Sequence, residues 1–114
     1  MSGEAAELTL GTRNVGAALV LSASGEIDVV SAPKLSAALA EAAASESPVL
    51  VVDLARVRFI GSVGLSVLLE ARESASNRTM KVVASPQVRR PIEITGLDIA
   101  LDVYDSLDQA LSDA

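Results

Sequence analysis

The sequence predicts an α/β fold with a mostly parallel central sheet that opens on an antiparallel hairpin, in the order β-β-α-β-α-β-α-β-α. Three observations lead there. Two short apolar segments near the start are separated only by turn residues, the spacing of a hairpin. Val49–Leu54 (Val-Leu-Val-Val-Asp-Leu) is apolar without alternation, as a central strand covered on both faces requires. From there on, helix-period and strand-period segments alternate with short connections, which implies right-handed crossovers. The chain has 114 residues, half of them hydrophobic and 2% aromatic. One domain over residues 1–114 with an aliphatic core is expected, since no Pro- or Gly-rich linker or charge block divides it.

The elements follow in order. Glu7-Leu8-Thr9-Leu10-Gly11-Thr12 alternates polar and apolar, the period of a half-buried strand. Asn14–Gly16 supplies a turn, and Ala17–Ser22 a second strand ended by Gly25. Glu26-Ile27-Asp28 leads into a loop. Ser31 stands as an N-cap with Pro33 in the first turn. Leu35, Ala38, Leu39 and Ala42 then share one helix face, and Ser45–Pro48 stops the helix. After the Val49–Leu54 strand and a loop, Ser62 starts a helix on which Leu65, Leu68 and Leu69 share a face, closed by Asn77. Met80–Ala84 is a strand. Ser85-Pro86 is a cap followed by Pro at the first helical position. Pro91 removes a backbone donor, so Pro86–Thr95 is one kinked helix or two short turns, stopped by Gly96. Leu101–Tyr104 is the last strand. Ser106 with Gln109 makes a capping box for a final helix through Leu111.

Composition excludes several functions. There is no His and no Cys. A Ser-His-Asp triad, a Cys-His pair and the usual zinc sites are therefore absent, and no catalytic residue, metal or cofactor is expected. The lack of Cys fits a reducing cytoplasm. A formal net charge of −6 argues against nucleic acid as a partner. The longest apolar runs, Ala17–Leu21 and Pro48–Val52, are far short of a membrane span, so no membrane insertion is expected. Met1–Glu7 carries acids and no basic region, unlike a signal peptide. Ile60-Gly61-Ser62-Val63-Gly64 fails as a Gly-x-Ser-x-Gly nucleophile elbow, because Ile60 stands where Gly is needed. Neither Lys34 nor Lys81 is tied to Ser62 by a motif, and no phosphate-binding Gly-rich loop occurs.

The informative stretch is Val51–Leu69. Asp53-Leu54 at a strand end, a short spacer, and Gly61-Ser62-Val63-Gly64-Leu65 opening a helix resemble the STAS domain of bacterial anti-sigma-factor antagonists. Gly25-Glu26-Ile27-Asp28 with Ala32-Pro33 resembles the loop before that family's first helix. Arg89-Arg90-Pro91 with Thr95-Gly96-Leu97-Asp98 resembles its third helix and exit. The matches run in order over most of the chain.

The resemblance implies a STAS-like fold and a regulatory cycle. The family's acceptor serine falls on Ser62. The unphosphorylated antagonist binds an anti-sigma factor that is a serine kinase, which frees the sigma factor. Phosphorylation ends the complex, and a PP2C-type phosphatase resets it. By the same resemblance the partner meets Glu26, Asp28, Gly61, Ser62, Val63, Gly64 and Ser66, and the protein works in the cytoplasm. Gly61 stands where the family usually has Asp, and Val63 where it has a second Ser, which leaves Ser62 the only hydroxyl in the motif. The alternative role is a STAS scaffold subunit in a signalling or lipid-transport assembly, without a phosphorylation cycle.

Each of these residues also has a plainer role. Ser at a helix start is by itself an N-cap, a role compatible with an acceptor. Gly64 either relieves crowding in the first turn or lets a kinase approach the backbone. Asp28 is either a loop acid or a partner contact. Asp53 either caps its strand end or orients the Ser62 loop. Arg89 and Arg90 are expected to be solvated.

Overall fold

The computed structural model describes residues 7–75 and 78–112. Strands β1 (Thr9–Val15), β2 (Ala18–Ile27), β3 (Val49–Ile60), β4 (Thr79–Ala84) and β5 (Asp102–Tyr104) form one sheet in the order β1-β2-β3-β4-β5. Only β1–β2 is antiparallel; β2–β3, β3–β4 and β4–β5 are parallel. Helices α1 (Ala32–Ala43), α2 (Ser62–Ser74) and α3 (Pro86–Ile94) connect the parallel strands, and α4 (Leu107–Ser112) follows β5. The predicted element order is the one found. A short 3₁₀ turn over Leu97–Ile99 is additional.

Spatial order equals chain order, so each crossover steps the same way. Right-handed crossovers that step one way put their helices on one face. The main core accordingly joins Leu35 and Leu39 of α1, Leu65 and Leu68 of α2, and Val88 and Ile92 of α3 to Leu50, Val52 and Leu54 of β3. The other face is covered by α4, whose Ala110 packs with Ala18, Val20, Val51 and Val83. Val49–Leu54 is thus buried from both sides, apart from half-buried Val49 and Asp53.

Two strands run past their expected ends. β3 continues through Ala55–Ile60, where a loop was expected, because Val57 and Ile60 are buried at 1% and 4% exposure. β2 likewise continues beyond Gly25 to Ile27 and pairs with that extension. The pairing slips between Ser22 and Ser24 and again between Gly25 and Glu26. Such bulges break the two-residue period by which a strand is read. Gly25 is required there: its φ is +116°, and a Cβ would lie 2.3 Å from the Glu7 carbonyl oxygen.

The caps also differ in part. Ser85 caps α3 as expected, its Oγ accepting from Val88 N at 3.3 Å and donating to the Val57 carbonyl at 2.8 Å. Pro91 is held within one nine-residue helix, and Gly96 in the left-handed conformation ends it. Ser106 Oγ accepts from Gln109 N at 3.1 Å, while Gln109 Oε1 reaches Asp105 N, one residue short of the expected box. Ser31 occupies the N-cap position of α1 without a side-chain capping bond. The closure of α2 at Asn77 and the expectation for Met1–Ala6 fall outside the described residues.

Candidate functional site

Parallel strands deliver their connections to the same sheet end. The β2–α1 loop and the β3–α2 junction therefore meet, and a backbone bond clips them together: Gly61 N donates to the Ile27 carbonyl at 2.9 Å. Gly64 locks the same corner. A Cβ on it would stand 2.6 Å from Ile27 Cγ2 and 2.8 Å from Ile60 Cγ1, so a side chain there displaces both isoleucines. Gly64 is buried. This close approach is the relief of crowding that its plainer reading gave it.

The β2–α1 loop is closed by its own side chains. The Asp28 carboxylate accepts from Val30 N and Ser31 N, both at 3.0 Å. The Ser31 hydroxyl accepts from Asp28 N at 2.9 Å and donates to the Glu26 carbonyl at 2.8 Å, with the Asp28 carboxylate as a longer alternative at 3.2 Å. The Ser31 hydroxyl is spent on the loop, which is why it does not cap α1. The Ser31 backbone N–H, chief among these donors, holds the Asp28 carboxyl below its ordinary pKa. Asp28 is thus the organiser of its loop. Glu26 faces Arg58 across β2 and β3 at 3.9 Å.

The loop so tightened exposes two valines, Val29 at 74% and Val30 at 83%. Across the clip, Phe59 and Val63 are also exposed, at 49% and 38%. Val29, Val30 and Phe59 were not singled out from sequence. Their signal was present: paired valines in a loop between Asp28 and Ser31, and the chain's one Phe beside a motif.

Between them begins α2. Its N-cap is Gly61, extended at φ −88° and ψ 177°, and Ser62 is the first helical residue. Ser62 is therefore not the cap, which corrects that reading. Its side chain is exposed, no side chain caps this helix end, and its hydroxyl has no hydrogen bond among the described residues. Ser66, one turn on, is exposed on the same helix. The corner gathers Glu26, Asp28, Gly61, Ser62, Val63 and Gly64, with Ser66 beside them.

Other predicted residues lie elsewhere. Asp53 Oδ1 accepts from Ala55 N at 3.0 Å on β3 itself, so it does not orient the Ser62 loop. Arg89 is not simply solvated. It pairs with Asp105 at 2.8 Å and Glu93 at 3.4 Å, tying α3 to the lead-in of α4, while Arg90 is exposed. Among the described residues no group of acidic, His or Cys side chains is arranged to hold a metal, and no helix is long and apolar enough to cross a membrane.

Comparison with known proteins agrees with this architecture. The anti-sigma-F factor antagonist RsfB of Mycobacterium tuberculosis is 41% identical over 95 residues, 82% of this chain and 78% of RsfB. The crystal structure of an anti-sigma factor antagonist from Mycobacterium paratuberculosis superposes with a TM-score of 0.89 at 42% identity, over 93% of this chain and 92% of that one. The Bacillus cell fate determinant SpoIIAA in its phosphorylated form shares the fold, with a TM-score of 0.67 at 16% identity over 90% of this chain and 96% of that one. The family model for the STAS domain matches residues 10–110, and the chain belongs to that family.

Proposed function

We propose that this chain is an anti-sigma-factor antagonist whose docking surface is the corner where the β2–α1 loop meets the start of α2. In this reading it is a binding regulator, not an enzyme, and it acts in the cytoplasm. Unmodified, it binds an anti-sigma factor and so releases the sigma factor. The anti-sigma factor is a serine kinase that transfers the γ-phosphoryl group of ATP to the Ser62 hydroxyl, leaving ADP. A PP2C-type phosphatase removes the phosphate.

The observation that carries this is the state of Ser62: exposed, first in α2, its hydroxyl bonded to nothing among the described residues, and flanked by exposed Val63 and Phe59. A phosphate there suits the free fold. It adds about −1.5 to −2 charges beside uncapped N–H groups and the positive end of the helix dipole. It does not suit a dry apolar contact. An unpaired charge buried in an interface costs about 3–5 kcal/mol, or roughly 10²–10³-fold or more in affinity. The switch works through the surface alone.

Incubation with the cognate anti-sigma kinase and ATP tests the assignment. One phosphate is expected, and phosphopeptide mapping should place it on Ser62. Incorporation at Ser31 or Ser66 instead, or none at all, overturns it.

A further inference from the structure

Six large hydrophobic side chains are exposed among the described residues. Four of them, Val29, Val30, Phe59 and Val63, stand at the Ser62 corner, while Ile94 and Ile99 lie toward the other end of the sheet, ahead of β5. Exposed apolar surface gathered in one place marks an interaction site. The acids of the corner do not interrupt it. The Asp28 carboxylate is taken up by Val30 N and Ser31 N, and Glu26 faces Arg58.

Phe59 is the largest of the four and the chain's one Phe. Its ring ends beside Gly61. A Cβ on Gly61 would stand 3.6 Å from Phe59 Cε2 and 3.7 Å from Cζ, ordinary contact distances. A side chain at 61 would therefore fit, and it would cover the end of the ring. Nor does the backbone call for glycine there, because φ −88° and ψ 177° are open to any residue. Helix capping does not call for it either: Asp is at least as good an N-cap and suits the helix dipole. What glycine supplies at this position is the absence of a side chain. It leaves the end of the Phe59 ring bare and uncharged, immediately before Ser62.

We propose that Phe59, bared by Gly61, is the anchor of the docking surface: its ring enters an apolar recess on the anti-sigma factor, and that recess excludes a carboxylate at position 61. The inference rests on the antagonist reading and adds the chemistry of the partner. Aromatic side chains seated in dry pockets carry a large share of interface energy. A carboxylate laid against the ring would lose its water there without gaining a partner.

The test is calorimetric titration of the anti-sigma kinase that phosphorylates Ser62 with full chains carrying Phe59→Ala, Phe59→Leu or Gly61→Asp. The unfolding midpoint and the steady-state phosphorylation of each chain are measured beside it. Phe59→Ala should weaken binding at least about tenfold and raise KM, with kcat within about twofold of wild type. Phe59→Leu should recover part of that loss; if the Ala variant fails to fold, the Leu variant should still bind at least about threefold more weakly than wild type. Gly61→Asp should weaken binding at least about fivefold while its midpoint equals or exceeds that of wild type. On a Phe59→Ala background the same Asp should cost less than about twofold, because the ring it covers is gone. Wild-type affinity in both Phe59 variants, or in Gly61→Asp, with Ser62 still phosphorylated, overturns this inference and leaves the antagonist reading standing. A wild-type chain that neither binds the kinase nor accepts phosphate overturns both.

Discussion

The β2–α1 loop and the start of α2 sit side by side at one end of the sheet and treat their polar groups in opposite ways. In the loop, Asp28 and Ser31 bond back onto the chain at the Val30, Ser31 and Asp28 N–H groups and the Glu26 carbonyl. At the helix start, the Ser62 hydroxyl is idle and no side chain caps the backbone. One region is a frame that holds its shape without help; the other is left open to chemistry. In the proposed cycle, a phosphate added to Ser62 therefore leaves the frame beside it undisturbed.

The two regions share one point of support, and breaking it should have the largest effect. Gly64→Val forces carbon into space already held by Ile27 of β2 and Ile60 of β3. Overpacking of this kind costs about 3 kcal/mol or more, with the strain falling on both regions at once. Thermal unfolding should show a loss of more than 10 °C, at about 4–8 °C per kcal/mol for a domain near this size. A midpoint unchanged from wild type would mean that the corner is not packed as described.

Ser31→Ala breaks only the frame. It leaves Asp28 N and the Glu26 carbonyl without their shared partner, at a cost of about 1–3 kcal/mol. Amide exchange at Asp28, Val30 and Ser31 should quicken while α2 amides stay protected. Ser62→Ala, by contrast, should cost almost nothing. Had Ser62 been a cap, the substitution would cost about 0.5–2 kcal/mol. Because Gly61, not Ser62, occupies the N-cap position, the expected change in unfolding free energy from denaturant titration lies within roughly 0.5 kcal/mol. A loss in the capping range would reverse the contrast between the two serines.

The smallest effect is the response to pH. The Asp28 pKa is lowered in the folded chain, chiefly by the Ser31 N–H. A depressed carboxylate contributes stability that is complete above its unfolded pKa and is lost as pH falls through the folded one. The loop should therefore be insensitive to acid until below the ordinary carboxylate range. An NMR titration of the Asp28 carboxyl, read beside the Val30 and Ser31 amides, should show all three moving together at that low pH. Loosening of these amides near neutrality would contradict the assignment of Asp28 as organiser.

Much of the frame was legible in the sequence, and the reasons are local. Leu35, Leu39 and Ala42 announce a buried helix face through spacing alone, and all three are buried. The turn residues, the β-α alternation and Gly96 punctuate the chain at close range. What escaped depended on distant partners. The extension of β3 to Ile60 is visible only once β2 pairs with it, because the bulges at Ser22–Ser24 and Gly25–Glu26 disturb the alternation. Gly64 reads as permissive until Ile27, far away in sequence, is found against it. Ser31 and Ser62 both precede apolar helix faces and look alike as caps. In the structure one is bound up in its loop and the other starts its helix without capping it.

The central claim is that phosphate on Ser62 acts on the contact surface and not on the fold. The direct measurement is calorimetry on two forms of the protein, unmodified and phosphorylated at Ser62, recording affinity for the anti-sigma partner and the unfolding midpoint of the free chain. The account predicts a loss of affinity of roughly 10²-fold or more, with the midpoint within about 4 °C of the unmodified form. Equal affinity of the two forms, or a phosphorylated chain that loses binding only because it has unfolded, would contradict it.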